Sequence, residues 1–304
     1  MTLKVLTTFC GCGGLDYGFH KHAEFKVVKA YDTMQHAVDT YNINYPHEAE
    51  VMDVKELLKQ DFDMGVSPDV IVGGPPCQDF SVAGSKNLGE RASLTETFVD
   101  LVVKYKPKYF VMENVPTIKT IGKVVYDKIT AKLKESGYGL TTQVIYMPDY
   151  GVPQGRKRLV IMGCMGGQED AFKSIMDGLK TPVKSMKEYM DRNNTDLGLG
   201  GKSHIYRHPC NYGRRGVFSV DEVYPTVRGC LRRMPPTYNF HEGDTSHVRD
   251  EIAMPDWSIV AKIQTFPDDF QLLPKNNALI IGNAVPPKFS EAVAKAIATH
   301  HTSP

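Results

Sequence analysis

Between residues 4 and 164, short β-branched runs alternate with helical stretches, and several of those runs stop at glycines. The pattern predicts strands at 4–9, 26–31, 69–72, 109–112, 140–146 and 158–164, with helices from residue 15 and over 35–42, 96–104 and 123–135. Parallel strands need a crossover connection, so strands spaced by helices of this length imply βαβ units. The fold class expected is α/β, a doubly wound, mostly parallel sheet. A chain of 304 residues has room for such a domain and a smaller companion.

The regularity ends near residue 166. From there to about 255 the chain is rich in Gly, Pro, Asn, Arg and His and shows little periodicity. Order returns with a helix over 257–264 and a last helix over 287–298. That last helix has Pro at its first position and Lys288, Glu291 and Lys295 on one side, as suits a surface helix packed on the sheet. The expected division is a catalytic and ligand-binding domain over 1–165, a small irregular domain over 166–254, and a segment over 255–304 that returns to the first domain.

The strand 69–72 runs into Gly73-Gly74-Pro75-Pro76-Cys77-Gln78-Asp79-Phe80-Ser81. Proline fixes φ and restricts the residue before it. Cys77 is therefore expected on a stiff piece of chain at the carboxyl end of a strand, where open α/β sheets place their ligands. That position suits a covalent nucleophile. A free cysteine standing alone is more often a small buried hydrophobe, so the neighbouring groups decide between the two.

Phe9-Cys10-Gly11-Cys12-Gly13-Gly14 falls at the first strand-to-helix turn, where glycines let backbone approach a ligand. The spacing is not the full dinucleotide fingerprint. Tyr31-Asp32 ends the second strand and offers a ring and a ribose-binding carboxylate. Asp53 offers an acceptor for an amino group, and both acids could equally be helix caps or surface charges. Glu113 ends the strand 109–112, placed either to donate from a raised pKa or to orient a substrate. Arg156 and Arg158 lie two apart on a predicted strand, so both should face one oxygen.

Bulk properties restrict the rest. At 41% hydrophobic and 23% charged, the composition is that of an ordered chain. Its longest apolar runs are too short to span a bilayer. Strand-like sequence begins at once without a leader pattern, and six scattered cysteines suit a reducing compartment, so the expected location is cytoplasmic. A net charge of +1 gives no global sign of a nucleic-acid partner, but a localised cleft needs none. Basic residues do cluster at 156–158, at Arg207, Arg214 and Arg215, and at Arg228, Arg232 and Arg233.

The ordered set resembles the bacterial and phage-type DNA (cytosine-5-)methyltransferases. Its blocks are Phe9-x-Gly11-x-Gly13-Gly14, Gly73-Gly74-Pro75-Pro76-Cys77-Gln78-x-Phe80-Ser81, Glu113-Asn114-Val115, Gln154-x-Arg156-x-Arg158 and Gly282-Asn283-Ala284-Val285-Pro286. Arg91-x-x-Leu94 and Gln264-Thr265-Phe266-Pro267-Asp268 fall where the family has further blocks. Together they reach from residue 7 to about 290, and the irregular stretch coincides with the family's target-recognition region.

The resemblance implies an S-adenosylmethionine-dependent methyltransferase fold and transfer to carbon-5 of a cytosine in duplex DNA. Cys77 would add to carbon-6, Glu113 would bind the ring nitrogen and exocyclic amine, and Arg158 would donate to the ring carbonyl. Arg156 would lie nearby, on phosphate or on the catalytic loop. The base must be flipped out to be reached, and residues 82–91 would close over it. For the cofactor, whose product is S-adenosylhomocysteine, the implied residues are Phe9, Gly11, Gly13, Gly14, Tyr31, Asp32, Asp53, Pro75, Leu94, Asn283, Ala284 and Val285. Ser81, Arg91, Arg207, Arg214, Arg215 and Arg228 are the implied DNA contacts, Arg228 through the stretch Pro225-Thr226-Val227-Arg228-Gly229. No metal is implied. The implied partner is double-stranded DNA, with a restriction endonuclease as a genetic rather than physical partner. The enzyme is expected to be a monomer at the nucleoid, with no membrane contact. A recognition region of roughly 80 residues suggests a short site of about four base pairs.

Two departures stand out. Ala30 occupies the place where relatives carry a ribose-binding Glu, so either Asp32 takes the ribose in a shifted register or the contact is missing. The stretch 257–263 lacks the usual Arg-Glu pair. Rival readings are a tRNA cytosine-5 methyltransferase, whose Cys-Phe-Thr tripeptide is not found here, a catalytically weak DNA-binding relative, and a nicotinamide oxidoreductase. A metal site from His204, His208 and Cys210, or from Cys10 and Cys12, has no second ligand pair at zinc spacing.

Overall fold

The computed structural model describes residues 2–46, 49–59, 65–76, 90–209, 213–274 and 277–303. Its strands are β1 (Leu3–Thr8), β2 (Phe25–Asp32), β3 (Glu50–Val51), β4 (Val70–Gly73), β5 (Tyr109–Asn114), β6 (Tyr138–Tyr146), β7 (Gln154–Gly155), β8 (Lys157–Met165), β9 (His204–Tyr206), β10 (Val217–Ser219), β11 (Tyr224–Pro225) and β12 (Ile252–Ala253). Its α-helices are α1 (Asp16–Lys21), α2 (Gln35–Asn42), α3 (Glu90–Tyr105), α4 (Lys123–Glu135), α5 (Lys173–Gly178), α6 (Met186–Asn193), α7 (Trp257–Ile263), α8 (Asn277–Asn283) and α9 (Pro287–Thr302).

Seven strands form the main sheet in the order β3-β2-β1-β4-β5-β8-β6. The pairs from β3 to β5 are parallel, and β8 runs antiparallel to both β5 and β6. From β1 the chain winds outward to β3, then restarts at β4 on the other side of β1. The boundary between β1 and β4 is therefore the topological switch point, where open α/β sheets of this kind place a ligand crevice, and the segments 9–14 and 74–76 border it.

The strands read as apolar runs because both faces are covered. Successive side chains alternate between the faces. Val5, Val70, Val72 and Val111 enter one core with Phe19 of α1 and Phe289, Val293 and Ile297 of α9. Leu6, Ile71, Phe110 and Met112 enter the other with Phe98 of α3 and Ile129 and Leu133 of α4. The last helix belongs to this domain: the Gly18 amide donates to Ser290 Oγ at 2.9 Å, and a Cβ on Gly18 would run into the Ser290 backbone.

Beyond β8, Phe172 and Met176 are buried in the first core, so the chain still packs on the sheet as far as α5. The irregular unit that follows has a three-stranded sheet, β10-β9-β12. Its strands of two or three residues carry no readable alternation. A buried carboxylate takes the place of long ladders. Asp244 Oδ1 accepts the Gly216 and Val217 amides at 2.7 and 2.8 Å, and Oδ2 accepts the Tyr238 hydroxyl and the His241 amide at 2.9 and 2.8 Å. The unit is joined to the main domain by the parallel bridge β11-β7 and by a core shared with α7, α8 and Cys12. Among the described residues no helix is long and apolar enough to cross a membrane.

Candidate active site

The first wall of the crevice is the turn after β1. Phe9 holds φ 54°, a left-handed conformation that an aromatic residue seldom adopts, and its ring lies half-buried against the second core. Such backbone costs about 1–3 kcal/mol and persists only where neighbours enforce it. Enforcement comes from the Cys10 amide on Tyr31 O at 3.0 Å and the Gly11 amide on Asp32 Oδ2 at 2.9 Å. The other oxygen of Asp32 accepts the Met34 amide at 2.9 Å. Gly13, at φ 87°, packs under the Tyr45 ring, whose hydroxyl donates to Gly13 O. Space over Gly11 is open: a Cβ there would meet nothing within 4 Å.

Tyr31 is buried in the second core, and Ala30 is enclosed with Cys10 and Tyr41 in a small cluster. Exposed Asp53 follows β3 and caps the next turn by accepting the Lys55 amide at 2.9 Å. Leu94 on α3 is half-buried. Gly14 closes the crevice on its far side, so tightly that a Cβ would run into Val285 O and stand 3.2 Å from Ala284 Cβ. Val285 is buried, Ala284 half-buried and Asn283 exposed.

The second wall is the end of β4 and its neighbour β5. Pro75 is buried, and its carbonyl accepts from Asn114 Nδ2 at 3.3 Å. A Cβ on Gly74 would lie 3.2 Å from Glu113 Oε2, which puts this carboxylate beside the chain three residues before Cys77. Arg158 Nε reaches Glu113 Oε1 at 2.7 Å, with both side chains mostly buried. The pair presents an acceptor and a planar fork of donors side by side, a combination suited to a ring edge with both donors and acceptors. Cys77 and Ser81 lie outside the described residues, as does the side chain of Arg91.

Arg156 does not share this face with Arg158. The Gln154 amide bonds back to Val152 O and the Arg156 amide back to Gln154 O, both at 2.7 Å, so the chain kinks between β7 and β8. The kink breaks the two-residue alternation on which a shared face depended. Arg156 is 1% exposed, and its Nη1 donates to Gly282 O at 3.1 Å and Val227 O at 3.4 Å.

Of the other basic candidates, Arg207 Nη2 donates to Thr226 O at 3.0 Å and Arg228 Nη2 to His208 O. Arg215 pairs with Glu222 and lies over the Phe218 ring at 4.3 Å, while Arg214 is exposed. Arg207, His208, Arg228 and Arg232 line one cleft of about 230 Å³. Among the described residues no group of three or more His, Cys, Asp and Glu could hold a metal. Cys210 lies outside them. Burial pushes the Cys12 thiol up to about 12, which makes it a poor ligand or nucleophile.

Three contributors escaped the sequence reading. Asn114 positions Pro75, Tyr45 holds Gly13, and Asp16 lies fully buried behind the turn with Thr7 Oγ1 donating to it at 2.8 Å. Asn114 stood in the Glu113-Asn114-Val115 block and closes a buried strand, but that block gave a role to Glu113 alone. An acid among the apolar residues of the first helix was the signal for Asp16.

A family model described as "C-5 cytosine-specific DNA methylase" matches residues 3–299. The chain belongs to that family. Methylases of this family imply S-adenosylmethionine as methyl donor. The chain is 35% identical to the Type II methyltransferase M.HindV of Haemophilus influenzae, over 99% of this chain and 98% of that one. It is 33% identical to M.HgiDI of Herpetosiphon aurantiacus, over 99% and 96%. Among solved structures, a putative DNA modification methyltransferase encoded within an E. coli prophage superposes with a TM-score of 0.68 at 21% identity, over 99% of this chain and 100% of that one. The S. pombe Dnmt2 methyltransferase does so with 0.68 at 18%, over 98% and 99%. At those identities the superpositions show the fold, which is that of a methyltransferase of this family.

Proposed function

We propose that this methylase modifies carbon-5 of a flipped cytosine at a specific site in duplex DNA, through a covalent adduct of Cys77 at carbon-6. The observation that carries the reading is the Glu113–Arg158 pair beside Gly74, at the strand end that leads into Cys77 and next to the open glycine turn. Carbon-5 of cytosine is a weak nucleophile. Addition of the Cys77 thiolate to carbon-6 breaks the ring double bond and moves an electron pair toward the ring nitrogen and carbonyl oxygen. Glu113 holds the nitrogen and exocyclic amine while Arg158 donates to the oxygen, so the charge develops against groups already in place. Carbon-5 would then take the methyl group as its bond to the donor's sulfur breaks and S-adenosylhomocysteine leaves, lose its proton to water, and the re-formed double bond would expel Cys77.

The crevice fits S-adenosylmethionine, which supplies the electrophilic methyl group. Open space over Gly11, the aromatic face of Phe9 and the exposed carboxylate of Asp53 are the features that would hold it. Asp32 is already engaged by two amides, but each of its oxygens keeps a second lone pair, and we assign it the ribose. Tyr31, Pro75, Leu94 and the 283–285 segment complete the pocket. We assign target recognition to the irregular unit that follows α5 and ends near residue 254, with Arg207, Arg214, Arg215 and Arg228 toward DNA and the cleft at Arg228 as a phosphate site. Ser81 and Arg91 are assigned to the backbone on the strength of their motif blocks.

The test is methyl transfer from labelled S-adenosylmethionine to unmethylated duplex DNA, with Cys77→Ser alongside. Label on carbon-5 of cytosine, lost in the variant, supports the reading. Label on tRNA and not DNA, or DNA binding without transfer, refutes it. Bisulfite sequencing of the modified DNA then reads the site, expected to be about four base pairs, as suits an interface of single-module size.

A further inference from the structure

Behind the pocket lies a buried polar knot that the proposed chemistry does not use. Gln154 and Gln264 are both 0% exposed. Gln154 Oε1 accepts the Val227 amide at 2.8 Å, and its Nε2 donates to Gln264 Oε1. Gln264 Nε2 donates onward to Ile281 O and Ala284 O, both at 2.9 Å. Flipping either amide would set donor against donor, so both orientations are fixed by the network. Arg156 Nη1 spans the same two segments through Val227 O and Gly282 O.

The segments so joined are the two that matter. On one side, Gly282 packs so close that a Cβ would run into Arg228 C and Gly229 N. On the other, Ala284 and Val285 press on Gly14 of the cofactor turn. The C-terminal end of α8 is therefore held between the recognition strip 226–229 and the cofactor pocket. Thr265, next to Gln264, holds φ 69°, a left-handed conformation that is a genuine outlier for a β-branched residue. Its Oγ1 accepts the Lys288 amide at 3.0 Å, which fixes the start of α9. Strain at this point is retained because the surroundings over-determine the backbone that delivers Gln264.

We propose that the Gln154–Gln264–Arg156 knot couples the cofactor pocket to the recognition strip, so that filling the pocket orders residues 226–229 for DNA. Gln154 and Gln264 are positioning residues that touch neither substrate. A buried network is rigid when fully satisfied. Pressure on Gly14 and Val285 from the pocket side is therefore transmitted through Ala284 O and Ile281 O to Gln264, and from Gln154 to Val227. Linkage makes the effect reciprocal: DNA held on the strip tightens the pocket by the same factor. The inference rests on the assignment of the pocket to S-adenosylmethionine.

Amide hydrogen exchange on the full chain, with and without S-adenosylhomocysteine, tests it without any turnover. In the wild type the ligand should slow exchange at 9–14 and also at 226–229, the latter by about fivefold or more. Gln154→Glu keeps an acceptor for the Val227 amide but cannot donate to Gln264, so it should retain the protection at 9–14 and reduce that at 226–229, where the Arg156 bridge and the Gly282 contact remain. Gln154→Met, which buries no charge, should do the same and serves if the first variant does not fold. A merely structural role would change exchange in the free protein and leave the ligand-dependent ratio intact. Protection confined to 9–14 in the wild type, or equal protection at 226–229 in a folded variant, overturns the coupling alone. No protection at 9–14 in the wild type overturns the pocket assignment with it.

Discussion

Arg158 Nε stands 2.7 Å from Glu113 Oε1, and the two reach each other from the neighbouring antiparallel strands β8 and β5. Each neutralises the other in a mostly buried setting, so neither is dispensable. Glu113→Gln removes the charge and keeps the shape. Methyl transfer should fall by about 10²–10⁴, the usual worth of a positioned acid–base group. Arg158→Lys keeps the charge and loses the planar fork, and about 10²–10³ is expected for a lost donor to developing charge. Single-turnover assays with saturating DNA check both. Full activity in either variant would remove that residue from the ring edge.

Gly13 is where the glycine turn after β1, proposed to hold the cofactor, tolerates least. Its φ of 87° favours glycine, and a Cβ would enter the Tyr45 ring. Gly13→Ala should cost about 1–3 kcal/mol of stability from backbone strain and weaken S-adenosylhomocysteine binding by more than about tenfold, equivalent to 1.4 kcal/mol. Tyr45→Phe loses only the hydroxyl bond to Gly13 O and should cost about 1 kcal/mol. Calorimetric titration and thermal melting separate the two effects. Unchanged affinity in Gly13→Ala would place the ligand elsewhere.

Most of the sheet was legible because its strands are covered on both faces and spell apolar runs. The helices Gln35–Asn42 and Lys123–Glu135 fall at the limits expected from their periodicity. Family membership was legible from the ordered blocks. The failures lie where one local rule was overridden. Arg156 and Arg158 diverge because two short backbone bonds kink the chain between them, and nothing in Gln154-Gly155-Arg156-Lys157-Arg158 announces that kink. The irregular unit hid its strands because its order comes from the Asp244 carboxylate and its four donors. The packing of Phe172 and Met176 on the first core was masked by the loss of periodicity after β8. Gln264 was visible only as a motif letter, since its partners come from two distant segments, Gln154 and 281–284.

Asp16 makes stability depend on pH. It is 0% exposed, and burial lifts its carboxyl to about 7 against the opposing bonds from Thr7 and Tyr41. In the unfolded chain the group ionises near 4. Between those limits the folded state holds a proton that the unfolded state has lost, so stability falls as pH rises from about 4 to about 7 and is flat beyond. The difference corresponds to at most about 4 kcal/mol. Asp16→Asn cannot ionise, and it should be more stable than wild type at pH 8 and indistinguishable near pH 4. Urea titrations across that range check the slope. A wild-type stability that rises between pH 5 and 7, with the variant parallel to it, would contradict the assignment.

Arg228 offers a test of the proposed nucleic-acid face. It lines a cleft with Arg207, Arg232 and His208, and its Nη2 donates to His208 O. Burial lowers the pKa of His208, and the charges of Arg232 and Arg228 lower it further. His208 is therefore neutral near pH 7, in a cleft whose cations repel a further proton. A phosphate in this cleft would reverse that repulsion and raise the His208 pKa in the complex. DNA binding should then tighten as pH falls from neutral toward the lowered pKa of the free protein's His208, and His208→Asn should abolish the effect. Arg228→Ala should weaken binding to all sequences alike and reduce the slope of log K against log salt by about 0.9, the value for one phosphate contact. Fluorescence anisotropy over a salt series measures both. If Arg228→Ala changes the preferred site and leaves the salt slope intact, the side chain reads a base and the cleft is not a phosphate site.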